Sequence, residues 1–240
     1  MQFIDAPSPN FDARTAPPDM VVLHYTGMPT GEEALDRLRD PEAKVSAHYL
    51  IEEDGRAFAL VPEERRAWHA GVSFWKGQRD VNAVSVGVEL VNPGEDWGYR
   101  PFPDTQIAAL VELLGEIRSR WSIPDSRIIG HSDVAPARKQ DPGELFPWKA
   151  LAEAGHGLWV DPLPSPGAPL AKGDHGTGVF ALQAGFCRLG YDLPPSGDYD
   201  DDTAVVVAAF QRHWRPGRVD GIADGETRAR LVQLLRASAE

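Results

Sequence analysis

The feature that most restricts the folds open to this chain is a segment beyond residue 154 that has no hydrophobic periodicity. Residues 155–167 read Gly-His-Gly-Leu-Trp-Val-Asp-Pro-Leu-Pro-Ser-Pro-Gly, and the three prolines make this stretch a semi-rigid spacer. Segments of this kind are typical of boundaries between domains. We therefore predict a first domain over residues 1–154, a linker over residues 155–171 and a second domain over residues 172–240.

In the first domain, apolar runs of strand length alternate with stretches of helical periodicity. Residues 20–25 are a short apolar run and residues 84–91 are rich in valine, so both segments are predicted to be buried strands. Residues 104–121 place apolar side chains on one helical face. Residues 46–61 contain an Asp-Gly pair that favours a hairpin turn, so two strands must be antiparallel. This pattern predicts an α/β fold with a mixed central sheet flanked by helices.

The second domain has a helical pattern throughout. Apolar residues recur at helical spacing in three stretches, around Leu182, Phe210 and Leu234. The pattern Gly-x-x-Asp-x-x-Thr occurs at residues 197–203 and again at residues 221–227, each time directly before a helix. Aspartate at a helix start satisfies backbone N–H groups that otherwise have no partner, so the repeat predicts two similar turn-then-helix units. The second domain is therefore predicted to be a small three-helix domain.

Composition narrows the classes of partner and the location. The formal net charge of −12 argues against a nucleic-acid partner and opposes attraction to anionic membranes. Cys187 is the only cysteine, which excludes a disulfide framework and a cysteine-based structural zinc site. Residues 1–9 lack the features of a secretory signal, and no apolar run is long enough to span a bilayer. We expect a cytoplasmic protein, with the periplasm as the alternative, and the oligomeric state stays open.

Two histidines and an aspartate form a candidate metal site. His24 ends one predicted strand, His131 ends another, and Asp141 follows in a loop rich in proline and glycine. Strand ends gather at one edge of a sheet, where binding sites are commonly built from loops. Two imidazoles and a carboxylate suit zinc, and three protein ligands leave a fourth position for water, as in catalytic zinc sites. The spacing alone is weak evidence, because each histidine taken singly also fits an ordinary structural role.

The residues around these candidate ligands match a known family in the family's order. Over about residues 7–150 the sequence resembles the type 2 N-acetylmuramoyl-L-alanine amidases, in the stretches Val21–Tyr25, Val45–Ile51, Arg66–Gly71, Ser85–Leu90 and Gly130–Gly143. The resemblance implies one catalytic zinc ion (Zn2+) held by His24, His131 and Asp141. It also implies Glu89 as the acid/base residue and Lys139 as the cation that stabilises the oxyanion.

The roles implied for Glu89 and Lys139 also make chemical sense. Attack of water on an amide needs a base for the water proton and an acid for the leaving amine, and one carboxylate can serve both in turn. The alternative for Glu89 is a charge on an edge strand, but a lone carboxylate in so apolar a run is costly unless it is paired or functional. Without the family pattern, Lys139 would be interpreted as a solvated loop charge.

Four further residues are predicted to contact the substrate. Trp68 and His69 directly precede Ala70-Gly71 and are predicted to border the cleft. Arg138 is predicted to bind a peptide carboxylate with its planar guanidinium. Tyr25 stands where the recycling enzymes of the resembled family have asparagine, which leaves the choice between anhydro-muramyl and ordinary muramyl substrates open.

The second domain resembles the three-helix peptidoglycan-binding domain, so muropeptides or peptidoglycan are the predicted partners. Together the resemblances predict a zinc-dependent amidase that hydrolyses the lactyl amide between (anhydro)muramic acid and L-Ala of the stem peptide, in cell-wall recycling or turnover. One alternative is a muropeptide sensor of the same fold that binds without cutting, and another is a zinc peptidase acting on the stem peptide. Whether the substrate is soluble or polymeric, and whether the second domain binds cell wall, stays open.

Overall fold

The computed structural model describes residues 1–161 and 166–238, so residues 162–165 of the predicted linker and residues 239–240 of the predicted second domain lie outside the described residues. The strands are β1 (Phe3–Asp5), β2 (Phe11–Ala13), β3 (Met20–Tyr25), β4 (Tyr49–Ile51), β5 (Ala57–Ala59), β6 (Arg65–Ala67), β7 (Ser85–Leu90) and β8 (Ile128–Gly130). The α-helices are α1 (Gly31–Arg39), α2 (Val81–Val84), α3 (Gly94–Trp97), α4 (Asp104–Arg120), α5 (His131–Val134), α6 (Trp148–Glu153), α7 (Thr177–Leu189), α8 (Asp201–Trp214) and α9 (Gly225–Ala237).

The first domain is built on a six-stranded sheet with the order β1-β5-β4-β7-β3-β8. Strands β4 and β5 form the antiparallel hairpin, whereas the other neighbouring strands in this sheet are parallel. The predicted mixed sheet is therefore confirmed. Strands β2 and β6 form a separate antiparallel pair. Strand β3 lies between β7 and the last strand, β8, and is parallel to both, so the carboxyl ends of the three strands meet at the same end of the sheet.

The two faces of the sheet differ because side chains alternate along a strand. Val21 and Leu23 of β3 pack with Leu110 and Leu114 of α4 in one core cluster. Met20 and Val22 lie in a different cluster, on the opposite face. His24 comes next in the alternation after Met20 and Val22, so its side chain lies on the same face as theirs, here called the second face. This face carries the polar residues of the site, and α4 has no part in it.

The second domain consists of α7, α8 and α9, as the sequence predicts. Asp200 accepts a hydrogen bond from the backbone N–H of Thr203 at 2.9 Å, and Asp224 accepts one from that of Thr227 at 3.0 Å, so the repeated pattern forms two N-terminal caps. These helices pack on the second face of the sheet, where Phe186 and Phe210 share a core cluster with residues of β3. In the described part of the chain, no helix has the length and apolar character needed to cross a membrane.

Candidate active site

The three candidate metal ligands meet at the carboxyl ends of β3 and β8. Leu23 pairs with Gly130 in the parallel register, so the next residues, His24 and His131, lie side by side. The loop after α5 then returns Asp141 to the same point, and all three side chains are buried. Parallel pairing of two short strands therefore joins residues that are more than a hundred positions apart.

The ligand atoms are close enough to bind one small cation. His24 Nδ1 lies 2.9 Å from His131 Nδ1, and each of these atoms lies 3.0 Å from Asp141 Oδ2. Ligands on a tetrahedral zinc ion are about 3.3 Å apart for bonds of about 2.0 Å, which is close to this arrangement. The three residues form a group that could hold a metal ion.

The hydrogen bonds on the far side of each imidazole indicate which nitrogen carries the proton. His131 Nε2 donates to the carbonyl oxygen of Ala70 at 3.0 Å, which leaves a lone pair on Nδ1. His24 Nε2 donates to His69 Nδ1 at 3.0 Å, and His69 Nε2 donates to Ser85 Oγ at 3.1 Å. The Ser85 hydroxyl donates in turn to the carbonyl oxygen of Val81. His24 therefore also presents a lone pair on Nδ1.

The charges of these groups agree with a cation site. Burial lowers the pKa of His24, and the neighbouring His131 lowers it further, to about 4. His24 is therefore neutral at physiological pH. Two imidazole lone pairs and a carboxylate thus converge without a proton between them, a donor set that fits a divalent cation.

The segment that orients both histidine ligands consists of His69 and Ala70. Asn82 Oδ1 fixes this segment by accepting hydrogen bonds from the backbone N–H groups of His69 and Ala70, at 3.1 and 2.8 Å. Gly87 leaves room for the His69 ring, because a Cβ at residue 87 would lie 2.5 Å from His69 Cδ2. His69, which the sequence predicts at the border of the cleft, lines the cavity that contains the ligands and is also buried behind His24.

Glu89 lies next to the ligands on the same face of the sheet. It pairs with His24 in the register of β7 and β3. Its Oε2 atom is buried without a hydrogen-bond partner among the described residues. Burial raises the pKa of Glu89 well above its usual value, and the negative charge of Asp141 adds to this increase. The positive charge of Lys139 opposes it. The arrangement therefore presents a carboxyl group that takes up a proton more readily than an exposed glutamate does.

The other predicted site residues occupy different positions around the cleft. Lys139, Arg138 and Tyr25 line the same cavity as the ligands. Arg138 Nη2 donates to the carbonyl oxygens of Ala70 and Val72 at 2.8 Å each, so this nitrogen is already bound within the chain. Trp68 is half-buried, and its Nε1 donates to Asp12 at 2.7 Å.

Several residues that shape the site escape selection from the sequence. Asn82 and Ser85 are polar residues in an otherwise apolar stretch, and the alternation of Ser85, Gly87 and Glu89 along β7 was the available signal. Arg37 on α1 also lines the cavity. Nothing in its local sequence distinguishes Arg37 from other charges on an exposed helix face, because the position of α1 beside the cleft is set by tertiary packing.

Comparison with known proteins agrees with this geometry. Residues 14–144 match the family described as N-acetylmuramoyl-L-alanine amidase, and residues 175–231 match the family described as putative peptidoglycan binding domain. The N-acetylmuramoyl-L-alanine amidase AmiD of Escherichia coli (strain K12) is 36% identical over 229 residues, which cover 90% of this chain and 82% of AmiD. The 1,6-anhydro-N-acetylmuramyl-L-alanine amidase AmpD of Haemophilus influenzae is 36% identical over 162 residues, covering 59% of this chain and 86% of AmpD.

Solved structures of related proteins have the same fold. E. coli AmiD in complex with the substrate anhydro-N-acetylmuramic acid-L-Ala-D-gamma-Glu-L-Lys matches with a TM-score of 0.80 and 36% identity, covering 94% of this chain and 92% of that chain. AmpDh3 from Pseudomonas aeruginosa in complex with anhydromuramic pentapeptide matches with a TM-score of 0.76 and 32% identity, covering 93% of both chains. The predicted fold class and enzyme class are thereby confirmed. This chain belongs to the N-acetylmuramoyl-L-alanine amidase family.

Proposed function

We propose that this chain binds one zinc ion through His24, His131 and Asp141 and hydrolyses the lactyl amide that joins muramic acid to L-Ala in peptidoglycan stem peptides. The observation that carries the proposal is the convergence of three unprotonated ligand atoms within 3.0 Å of one another, beside a buried carboxyl group without a partner. The complexes of AmiD and AmpDh3 with anhydro-muramyl peptides favour anhydro-muropeptides as the substrate class.

Zinc is the metal that suits this donor set. Two neutral imidazoles and one carboxylate are ligands that zinc prefers, whereas magnesium and calcium favour an all-oxygen set. Three protein ligands leave a position open for substrate or water, which is the pattern of a catalytic site. When bound, zinc would supply Lewis-acid activation of water and of the amide carbonyl.

The proton transfers are assigned to Glu89. The ionised carboxylate accepts a proton from the attacking water as the new C–O bond forms, and the carboxylic acid then donates this proton to the amide nitrogen as the C–N bond breaks. The products are the lactyl carboxylate of the sugar and the free amine of the peptide. The raised pKa of Glu89 makes its carboxylate a stronger base than that of an exposed glutamate, which suits the first of these steps.

Lys139 is assigned to the negative charge that develops on the former carbonyl oxygen. Lys139 lines the cavity that contains the ligands. A cation at this place stabilises the transition state more than the neutral substrate, which is the condition for catalysis.

The remaining cleft residues divide between binding and orientation. Arg138 retains donors beyond its bound Nη2 for a carboxylate of the stem peptide, and Tyr25 offers a hydroxyl group to the substrate. We assign His69 to the orientation of His24, because its ring is hydrogen-bonded to that ligand. Trp68 stays a predicted substrate contact at the edge of this region.

The test compares the zinc-loaded protein with its Glu89→Gln variant on a defined anhydro-muramyl peptide, with products identified by mass spectrometry. We expect free muramyl sugar and an intact peptide beginning with L-Ala, with the rate reduced by about 100-fold or more in Glu89→Gln. Glu64→Gln, which changes an exposed carboxylate elsewhere, serves as the matched control and should keep the parent rate. Binding without any cleavage would instead support the sensor alternative, and cleavage within the peptide would support the peptidase.

We also propose that the second domain, over residues 172–240, holds the enzyme near peptidoglycan. The division of the chain into a first domain at 1–154, a linker at 155–171 and this second domain stays a proposal. Support comes from the match of residues 175–231 to the putative peptidoglycan binding domain. Co-sedimentation of the intact protein with purified sacculi measures this binding. The cytoplasmic location stays a prediction, with the periplasm as the alternative, and fractionation of cells that express the protein distinguishes them.

A further inference from the structure

Asp133 links the metal loop to the second domain. It lies two residues after His131 and is 0% exposed. Its Oδ2 accepts hydrogen bonds from the backbone N–H of Gly130 at 2.8 Å and from His213 Nδ1 at 2.7 Å, and its Oδ1 accepts one from the Tyr191 hydroxyl at 2.8 Å. Tyr191 follows α7 and His213 lies in α8, so two of the three donors belong to the second domain.

A buried carboxylate depends strongly on such donors. Removing a carboxylate from water is costly unless hydrogen bonds replace the lost hydration. The local backbone supplies one donor to Asp133, and the second domain supplies the other two. The charge of Asp133 is therefore fully satisfied only when the second domain is packed against the metal loop.

Both donors of the second domain are held rigidly. The His213 ring is stacked between Trp148 and Trp214, with ring centroids 3.6 Å from each. Its Nε2 has no hydrogen-bond partner among the described residues, which agrees with a neutral ring protonated on Nδ1. Tyr191 packs edge-on against Trp75 of the first domain, with centroids 5.1 Å apart. The donors therefore fix the position of Asp133 rather than follow it.

The position of Asp133 determines that of His131. Both residues belong to α5, a single helical turn, and Asp133 binds the N–H of Gly130, the residue just before His131. A shift of Asp133 therefore moves the backbone on either side of the ligand. The side chain of His131 is also held by the hydrogen bond that its Nε2 donates to the carbonyl oxygen of Ala70.

We propose that the second domain is a structural part of the metal centre: Tyr191 and His213 are positioning residues that act through Asp133 to hold His131 in the geometry that binds the metal. This role is separate from any affinity for peptidoglycan, and it rests on the proposed zinc site. It predicts that loss of one hydroxyl group in the second domain weakens metal binding in the first.

Two tyrosine variants of the intact protein test the proposal. Tyr191→Phe removes the hydrogen bond to Asp133, whereas Tyr199→Phe removes a hydrogen bond of 2.7 Å to the Gly221 carbonyl within the second domain. The two tyrosines are equally buried, at 1% and 2% exposure, so the variants are closely matched. The Kd for zinc is measured by competition with a chromophoric chelator, and the visible spectrum of the Co2+-substituted protein reports ligand geometry.

We expect Tyr191→Phe to raise the Kd for zinc about tenfold, as for the loss of other hydrogen-bond partners behind metal ligands, and to alter the Co2+ spectrum. Tyr199→Phe should change neither quantity. His213→Asn keeps an N–H donor near the position of Nδ1 and should retain most of the affinity, whereas His213→Leu loses the donor and should resemble Tyr191→Phe.

The outcomes separate this inference from the proposed function. If the parent protein binds zinc and Tyr191→Phe keeps the parent Kd and Co2+ spectrum, the positioning role is refuted and the zinc site stands. Equal weakening by Tyr191→Phe and Tyr199→Phe would also refute it, because the effect would then follow general destabilisation. Failure of the parent protein to bind zinc would overturn both the zinc site and this inference.

Discussion

Replacing Gly87 by alanine should damage the metal site from behind, without replacing any of the three candidate ligands. An alanine Cβ at this position would lie 2.5 Å from Cδ2 and 2.7 Å from Nδ1 of His69. Real Cβ atoms essentially never come within 3.0 Å of a neighbouring heavy atom. The obstacle is a buried aromatic ring rather than the end of a flexible chain. The His69 ring must therefore move away from β7.

The cost follows from the contacts that His69 makes. Overpacking of a well-packed interior costs about 1–3 kcal/mol. Displacement also breaks the hydrogen bonds from His24 and to Ser85, at 3.0 and 3.1 Å, and leaves the buried His24 Nε2–H without an acceptor, which costs about a further 1–3 kcal/mol. The free energy of unfolding should fall by about 2–6 kcal/mol, and zinc affinity should fall by about 10- to 100-fold.

Urea unfolding of the metal-free protein measures the first quantity, and chelator competition measures the second. Gly115→Ala is the matched control, since an alanine Cβ there meets nothing within 4 Å on the exposed side of α4. This control should raise stability by about 0.5–1 kcal/mol, because glycine inside a helix is less favourable than alanine, and should leave zinc affinity unchanged. A Gly87→Ala protein with parental stability and parental Kd would refute the role assigned to His69.

Two further predictions concern the pH dependence of stability and the effect of removing the metal on hydrolysis. Glu63 accepts hydrogen bonds from Tyr49 and Arg120 at 2.8 Å each. Burial alone would raise the pKa of Glu63, but the hydrogen bonds from Arg120 and Tyr49 hold it below the usual 4.5. Its stabilisation is therefore complete above the unfolded-state pKa and is lost as pH falls through the folded-state pKa. Glu63→Gln should lower the free energy of unfolding by about 1–3 kcal/mol at pH 7 and by less at pH 3, and a difference independent of pH would contradict this. Treatment with a chelator should abolish hydrolysis and added zinc should restore it, whereas full activity after verified metal removal would exclude a metal-dependent reaction.

The sequence predicts the candidate ligands better than the residues behind them. His24 and His131 stand out because each ends a strand, and Asp141 stands out because it lies in a loop that the family resemblance identifies. The contact between His69 and His24 depends instead on the strand order, which places β7 beside β3, and on the absence of a side chain at Gly87. Local sequence contains neither fact, so it predicts that His69 borders the cleft but not that His69 orients His24.

The packing of the second domain on the sheet was equally hidden. Apolar stripes predict three helices, but they do not say which apolar surface each helix covers. The proline-rich spacer suggests two separate units, whereas Met20 and Val22 share a core with Phe186 and Phe210. The apolar face of α4 likewise does not show which of its side chains are most buried: Leu113 and Ile117 are fully buried, while Ile107 and Val111 are only partly buried.

The hydrogen bonds behind the ligands meet a physical requirement of an open metal site. Without a cation, His24 Nδ1, His131 Nδ1 and Asp141 Oδ2 present three electron-rich atoms within 3.0 Å of one another, and their repulsion favours rotation of the rings away from the site. His69 holds the first ring from behind and the carbonyl oxygen of Ala70 holds the second. Asp133 fixes the backbone that carries the second ring and extends this support into the second domain. A site that must keep one position open for substrate gains no fourth protein ligand to hold its geometry, so that geometry has to come from the surrounding hydrogen bonds.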